Sequence, residues 1–193
     1  MKLNKDFWNN RYIDKEIGWD LGEIAPPLKE YFNQLKNKEL KIIIPGCGNA
    51  YEAEYLFNRG FKNVFLIDLS PTALEQFATR VPNFPKNQLI CGDFFNHNEE
   101  YDLMIEQTFF CAINPSLRSD YAKHTAKILK SNGKLVGLLF NDDLNADHPP
   151  FGGNREEYLN CFSPYFNIEI METAHNSIEP RNDRELFIKL SKK

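Results

Sequence analysis

Short apolar runs alternate with helix-like stretches along most of the chain. The first run, 40–44, is stopped by Pro45-Gly46. An unbroken apolar run is what a strand buried on both faces requires. A helix over about 50–59 follows and ends at Gly60. The second strand spans 64–67 and closes on Asp68. Ser70 as cap and Pro71 at the first position then open a helix to about residue 80. Residues 88–91 and 101–106 predict the third and fourth strands. Pro115 opens a helix to about residue 130, Ser131-Asn132-Gly133 turns the chain, and 134–140 is the fifth strand. Beyond Asn141 the rhythm breaks: 142–154 is a polar loop rich in Pro and Gly, and loops of that length in a compact domain tend to be functional or mobile. A short helix over 155–162 precedes β-like runs at 166–173 and 185–190, which fit an antiparallel hairpin on the sheet edge. Strands alternating with helices predict an α/β fold with a mainly parallel sheet. Residues 1–38 lie outside that rhythm, hold both tryptophans, and read as an N-terminal helical cap on an α/β core over 39–193.

Length and charge narrow the classes. The chain has 193 residues, enough for one domain with a full core. Its formal net charge of -4, with no concentrated basic surface, argues against nucleic acid and against an anionic membrane surface. The N-terminal segment lacks the apolar core of a signal peptide, and no apolar run approaches the roughly 20 residues that span a bilayer. A cytoplasmic monomer is expected. Cys47, Cys91, Cys111 and Cys161 form no C-x-x-C pair, so neither a zinc site nor a disulfide framework is expected.

Three signals fall at successive strand ends, where ligands bind in open parallel sheets. Gly46-Cys47-Gly48 follows the first strand and lets the backbone approach a ligand closely, although an ordinary strand-to-helix turn would use the same residues. Asp68 is placed to accept from both hydroxyls of a ribose; helix capping is the other use, but Ser70 already serves there. Asp93 beside Phe94 suits adenine, with the acid accepting from the exocyclic amine and the ring packing on the base; a solvated turn is an equal reading of Asp93. A dinucleotide fingerprint needs a third glycine where Tyr51 stands, and Glu52 and Glu54 add negative charge beside the pyrophosphate position. Both facts count against NAD. S-adenosylmethionine carries a sulfonium and no phosphate, so acidic and aromatic surroundings suit it.

Six segments carry a family resemblance: Phe7-Trp8-Asn9-Asn10-Arg11-Tyr12, Gly18-Trp19-Asp20-Leu21-Gly22, Ile44-Pro45-Gly46-Cys47-Gly48, Gly92-Asp93-Phe94-Phe95, Thr108-Phe109-Phe110-Cys111-Ala112, and Leu129 to Leu135. With them the chain resembles the class I methyltransferases of the thiopurine S-methyltransferase family, most of all the halide and thiol methyltransferase branch. The resemblance implies a single Rossmann-like methyltransferase domain over 1–193, with a seven-stranded sheet and S-adenosylmethionine as cofactor. It also implies that Trp8, Tyr12 and Trp19 close over the cofactor. A sulfonium near an aromatic face gains about 0.5–2 kcal/mol, which supports the carry-over; pinning a helix to the core is the plainer use of those rings.

Two departures from that branch matter. Gln107 stands where an aromatic residue is common, after an acid matching Glu106, and gives the acceptor side an amide. The C-terminal basic segment, Arg181 to Glu185, lacks its usual glycine, so Arg181 and Arg184 are candidates for an anionic acceptor or simply members of a solvated turn. The implied reaction is in-line methyl transfer to a small soft nucleophile: a thiol, a thiopurine or a halide. Such acceptors need no strong general base. His148, in the loop, is the candidate for taking a thiol proton, and Cys47 is too enclosed to be a nucleophile. The alternative is a non-catalytic S-adenosylmethionine-binding protein or partner subunit of a methyltransferase.

Overall fold

The computed structural model describes residues 2–193. Seven strands form one sheet: β1 (Ile42–Pro45), β2 (Val64–Asp68), β3 (Leu89–Cys91), β4 (Tyr101–Gln107), β5 (Leu129–Phe140), β6 (Phe166–Thr173) and β7 (Glu185–Lys192). Their order is β3-β2-β1-β4-β5-β7-β6. β1 pairs in parallel with both β2 and β4, and all four of its residues are buried, as its apolar run demands. Successive side chains point to opposite faces. Ile42 and Ile44 therefore enter one core with Leu66, Leu103 and Ile105, whereas Ile43 and Met104 enter the other.

The helices are α1 (Lys5–Ile13), α2 (Pro26–Gln34), α3 (Tyr51–Asn58), α4 (Pro71–Arg80), α5 (Arg118–Ile128) and α6 (Arg155–Phe162). α4 starts as expected: the Ser70 hydroxyl accepts from Ala73 N–H at 3.1 Å and Pro71 sits at the first position. The Asn9 side chain, on α1, accepts from Ser70 Oγ at 2.9 Å and from Thr72 N–H at 3.1 Å, so the N-terminal helix is fastened to that same helix start. α2 fully buries Leu28 and Phe32 in the first core, which makes it part of the packed layer over the sheet.

Three expectations need adjustment. Pro115 opens a 3-10 turn over Pro115–Leu117, and α5 begins only at Arg118; the Asn114 side chain accepts from Ser116 N–H and tightens that turn. β5 begins at Leu129, five residues before the expected strand, because the 130–133 turn is folded into it as an irregularity opposite β4, with Asn132 at φ 63°. The C-terminal hairpin lies at the sheet edge, but β7 inserts between β5 and β6. It pairs antiparallel with both, so β7 alone runs against the rest of the sheet. Among the described residues no helix is long and apolar enough to cross a membrane.

Candidate functional site

Strand order runs outward from β1 in two directions, through β2 to β3 and through β4 to β5. The carboxyl ends of β1 and β4 therefore flank the switch point, where an open α/β sheet forms a crevice. A groove lies there. Gly46, Cys47, Gly48 and Asn49 line it from β1, Gln107 and Thr108 from β4, Tyr51 and Glu52 from α3, and Tyr12, Trp19, Asp20, Leu21 and Glu23 from the N-terminal segment.

The β1 turn is unusual in its backbone. Gly46, Gly48 and Ala50 all hold positive φ, at 53°, 51° and 53°. Close neighbours explain the two glycines. A Cβ on Gly48 would stand 2.5 Å from the Tyr12 hydroxyl, and one on Gly46 would collide with the Phe109 ring. Asp68 braces the turn: its Oδ2 accepts from Gly48 N–H at 2.9 Å and its Oδ1 from Ser70 N–H at 2.8 Å. Burial pushes the Asp68 carboxyl up, against the backbone donors that lower it. Each carboxylate oxygen keeps a second lone pair.

The N-terminal segment folds over this turn and is tied down at several points. Trp19 meets Trp8 edge-on at 5.7 Å and Tyr12 at 6.1 Å between ring centroids. The Trp19 carbonyl accepts from Arg181 Nη2 at 2.7 Å. Asp20 Oδ2 accepts from Asn49 Nδ2 at 2.9 Å and from the Tyr51 hydroxyl at 3.3 Å. Glu52 accepts from Ala25 N–H at 3.3 Å, and burial pushes its carboxyl up. Burial, then the nearby Asp68 charge, pushes the Tyr12 hydroxyl up as well, so it stays neutral. The lining thus holds three acids and three aromatic rings, and no lysine, arginine or histidine among the described residues. Such a surface favours a cationic ligand.

Thr108 also lines a small inner cavity of about 10 Å³ with Phe110, Cys111, Leu138, Phe140 and Glu185. That space holds about one water-sized sphere. The Cys111 thiol donates to the Thr108 carbonyl, and burial followed by the nearby Glu106 pushes it up to about 12. The Cys47 thiol is raised too, by burial and then by Asp68, so neither thiol is a ready nucleophile.

The residues singled out from the sequence divide by place. Tyr12, Trp19, Gly46, Gly48 and Gln107 line the groove, and the buried Gln107 Oε1 has no hydrogen-bond partner. Trp8 and Asp68 stand directly behind the lining. Asp93 is exposed and caps the 3-10 turn Phe94–Asn96, accepting from Phe95 N–H at 3.0 Å. Phe94 is only 3% exposed; its ring is enclosed by Phe109, Tyr121 and His124, so it presents no face to the groove. His148 is exposed on the loop, pairs with Asp147 at 2.9 Å and lines neither space. The base of that loop is held: Phe151 N–H donates to the Cys111 carbonyl at 2.7 Å, and Arg118 Nη2 donates to the Gly152 carbonyl at 2.7 Å. A solvated turn is the wrong description for Arg181, which is buried, pairs with Glu185 at 3.1 Å and packs over the Phe140 ring. Arg184 is exposed and pairs with Asp142. Glu54 is neutralised by Arg80 at 2.8 Å.

Sequence reading overlooked Asp20, Tyr51, Glu52 and Thr108 as groove residues. Asp20 stood inside a quoted motif, and Tyr51 and Glu52 were weighed only as obstacles to a pyrophosphate. Thr108, like Asp20, stands inside a quoted motif, but nothing local marks its φ of 57°, which is rare for a β-branched residue.

A family model described as thiopurine S-methyltransferase (TPMT) matches residues 3–191. A probable thiol methyltransferase 2 of Arabidopsis thaliana is 28% identical over 186 residues, covering 92% of this chain and 81% of the relative. A thiopurine S-methyltransferase of Acinetobacter baylyi is 25% identical over 193 residues, covering 88% of each. Among solved structures, the 1,6-didemethyltoxoflavin-N1-methyltransferase of Burkholderia thailandensis, with bound 1,6-didemethyltoxoflavin and S-adenosylhomocysteine, superposes with a TM-score of 0.77. It is 14% identical and is covered to 87%, with 98% of this chain matched.

Proposed function

Since the chain belongs to the thiopurine S-methyltransferase family and is an S-adenosylmethionine-dependent methyltransferase, we propose that its acceptor is a small soft nucleophile, a thiol, thiopurine or halide, and that the β1–β4 groove holds the cofactor. The observation that carries this reading is the lining: acids and aromatic rings without a basic side chain, joined at Thr108 to a mostly apolar inner cavity. S-adenosylmethionine supplies an activated methyl group on a sulfonium, and the residues present fit that charge. Trp19 and Tyr12 offer aromatic faces and keep water out. Asp20 supplies negative charge. Gly46 and Gly48 let the backbone approach, with Asp68 bracing the turn and free lone pairs left for a ribose.

The chain's part in the chemistry is alignment and dryness. Holding nucleophile and methyl carbon in line contributes up to about 7–11 kcal/mol of barrier reduction. Among the described residues no histidine lines either space, which fits an acceptor that arrives as an anion. The unpartnered Gln107 Oε1 is available to a donor on either ligand.

Two measurements test the proposal. Calorimetric titration with S-adenosylhomocysteine should show binding; a folded protein that binds none refutes the groove assignment. A screen of thiols, thiopurines and halides with labelled cofactor should find methyl transfer to at least one class, and labelling confined to oxygen or nitrogen acceptors overturns the acceptor reading.

A further inference from the structure

β4 ends in an acid that water does not reach. Glu106 is 1% exposed, and among the described residues it has no salt-bridge partner. Its Oε1 accepts from two successive backbone donors, Phe109 N–H and Phe110 N–H, each at 2.8 Å. Its Oε2 accepts from the Tyr121 hydroxyl on α5. Removing a carboxylate from water without a cation is expensive, so its retention calls for an explanation in what those bonds hold.

They hold a strained turn. Thr108, between the acid and the two donors, has φ 57°, where its branched Cβ is crowded. Pinning the next two N–H groups on one oxygen keeps the chain in that conformation. The turn then reaches both spaces. Thr108 lines both the groove and the inner cavity. The Phe109 ring presses against Gly46, on the floor of the groove. Phe110 lines the inner cavity. From the opposite side β5 makes room: a Cβ on Gly137 would collide with the Glu106 Cβ and carbonyl oxygen.

We propose that Glu106 is a positioning residue for methyl transfer, holding by its three hydrogen bonds the Thr108–Phe110 turn that forms one wall of the groove and backs onto the inner cavity. It touches neither ligand and acts through the residues it holds. The inference rests on the methyltransferase reading of the groove.

The test compares wild type with Glu106→Gln, Glu106→Asp, Glu106→Ala and a control core variant on α4, Phe77→Leu. Glutamine keeps an oxygen of the same reach for both amides, and the Tyr121 hydroxyl can turn to accept from its NH2. Aspartate keeps the charge but is one methylene short, and alanine leaves both amides unpaired. Glu106→Gln should keep kcat within about three-fold, whereas Glu106→Asp and Glu106→Ala should lose about 30- to 100-fold, the scale of a misplacement near 1 Å. Phe77→Leu should lower Tm without lowering kcat when assayed well below its transition. Native-state hydrogen exchange gives a second readout that needs no acceptor: the Phe109 and Phe110 amides should exchange at least about ten-fold faster in Glu106→Asp, with those of Ile43 and Ile44 unchanged. If Glu106→Ala fails to fold, Glu106→Asp decides. Full kcat in Glu106→Asp, unchanged exchange at both amides, or a Glu106→Gln as impaired as Glu106→Asp overturns the proposal; the last outcome would mean that the charge matters. A wild type that binds S-adenosylhomocysteine yet methylates no acceptor sinks the acceptor reading alone, and the exchange experiment still decides on Glu106.

Discussion

Arg181 reaches 162 residues back along the chain to donate a 2.7 Å hydrogen bond to the carbonyl of Trp19. The same guanidinium is buried against Glu185, whose other oxygen accepts from Ser177 Oγ at 2.8 Å. The segment leading into β7 thus latches the N-terminal segment over the groove. Arg181→Met should loosen that latch and strand a buried carboxylate, destabilising the fold by about 3–5 kcal/mol. S-adenosylhomocysteine affinity should fall about ten-fold, the size of one charge-assisted hydrogen bond. In Arg181→Met/Glu185→Leu, Tm should recover and affinity should not. Recovery of both would show that Arg181 serves stability only.

The groove acids should distinguish the cofactor from its product. Asp20→Asn keeps a hydrogen-bonding side chain toward Asn49 and Tyr51 but removes a charge. It should weaken S-adenosylmethionine about ten-fold and S-adenosylhomocysteine less, because only the former carries the sulfonium. Equal losses for the two ligands in calorimetry would argue that Asp20 acts through the loop geometry.

Gly48 and Tyr12 should behave as a coupled pair. Gly48→Ala places a methyl 2.5 Å from the Tyr12 hydroxyl, on top of a left-handed φ that costs about 1–2 kcal/mol. Removing that hydroxyl leaves Cζ as the nearest atom of the ring, at 3.6 Å, an ordinary contact. Tyr12→Phe should therefore rescue part of the Tm lost in Gly48→Ala. Additive losses in the double variant would mean that backbone strain alone sets the cost.

Glu106 should leave a mark on the pH dependence of stability. Burial pushes its carboxyl from about 4.5 up to about 7, against the hydrogen bonds from Tyr121, Phe110 and Phe109; Cys111 and Tyr158 are further titratable groups that feel its charge. The folded state therefore binds the proton more tightly than the unfolded chain. Its contribution is fully present below about pH 4.5 and is lost as pH rises through about 7, to the extent of about 3 kcal/mol. Urea unfolding at pH 5 and pH 8 should show wild type losing stability relative to Glu106→Gln at the higher pH. Parallel profiles for the two proteins would refute this assignment.

Local signals carried far into the fold. β1 and β2 were legible because strands buried on both faces are unbroken apolar runs, and the start of α4 because Ser70-Pro71 is a local device. The glycine turn and Trp19 were legible as motif. Strand order was not, since it depends on contacts far apart in sequence, and it sets the groove between β1 and β4, away from Asp93 at the end of β3. Phe94 looked like a partner for a base because its neighbour Asp93 is polar, but α5 packs over its ring. Arg181 looked solvated because its neighbours in sequence are polar, and it is buried because β7 draws it against Phe140 and Trp19. Asp20 and Glu52 are not legible as groove acids, because an acid's value in a groove depends on which side chains share it.

The place of β7 bears on how the molecule is made. It is the last of the seven strands to leave the ribosome, yet it lies inside the sheet between β5 and β6. Until it arrives, β6 has no partner in the sheet and the flank of β5 stays open. The residues that bolt the N-terminal segment are translated with it, Arg181 just before β7 and Glu185 as its first residue. A nascent chain therefore cannot bolt the N-terminal segment over the groove until the start of β7 has emerged.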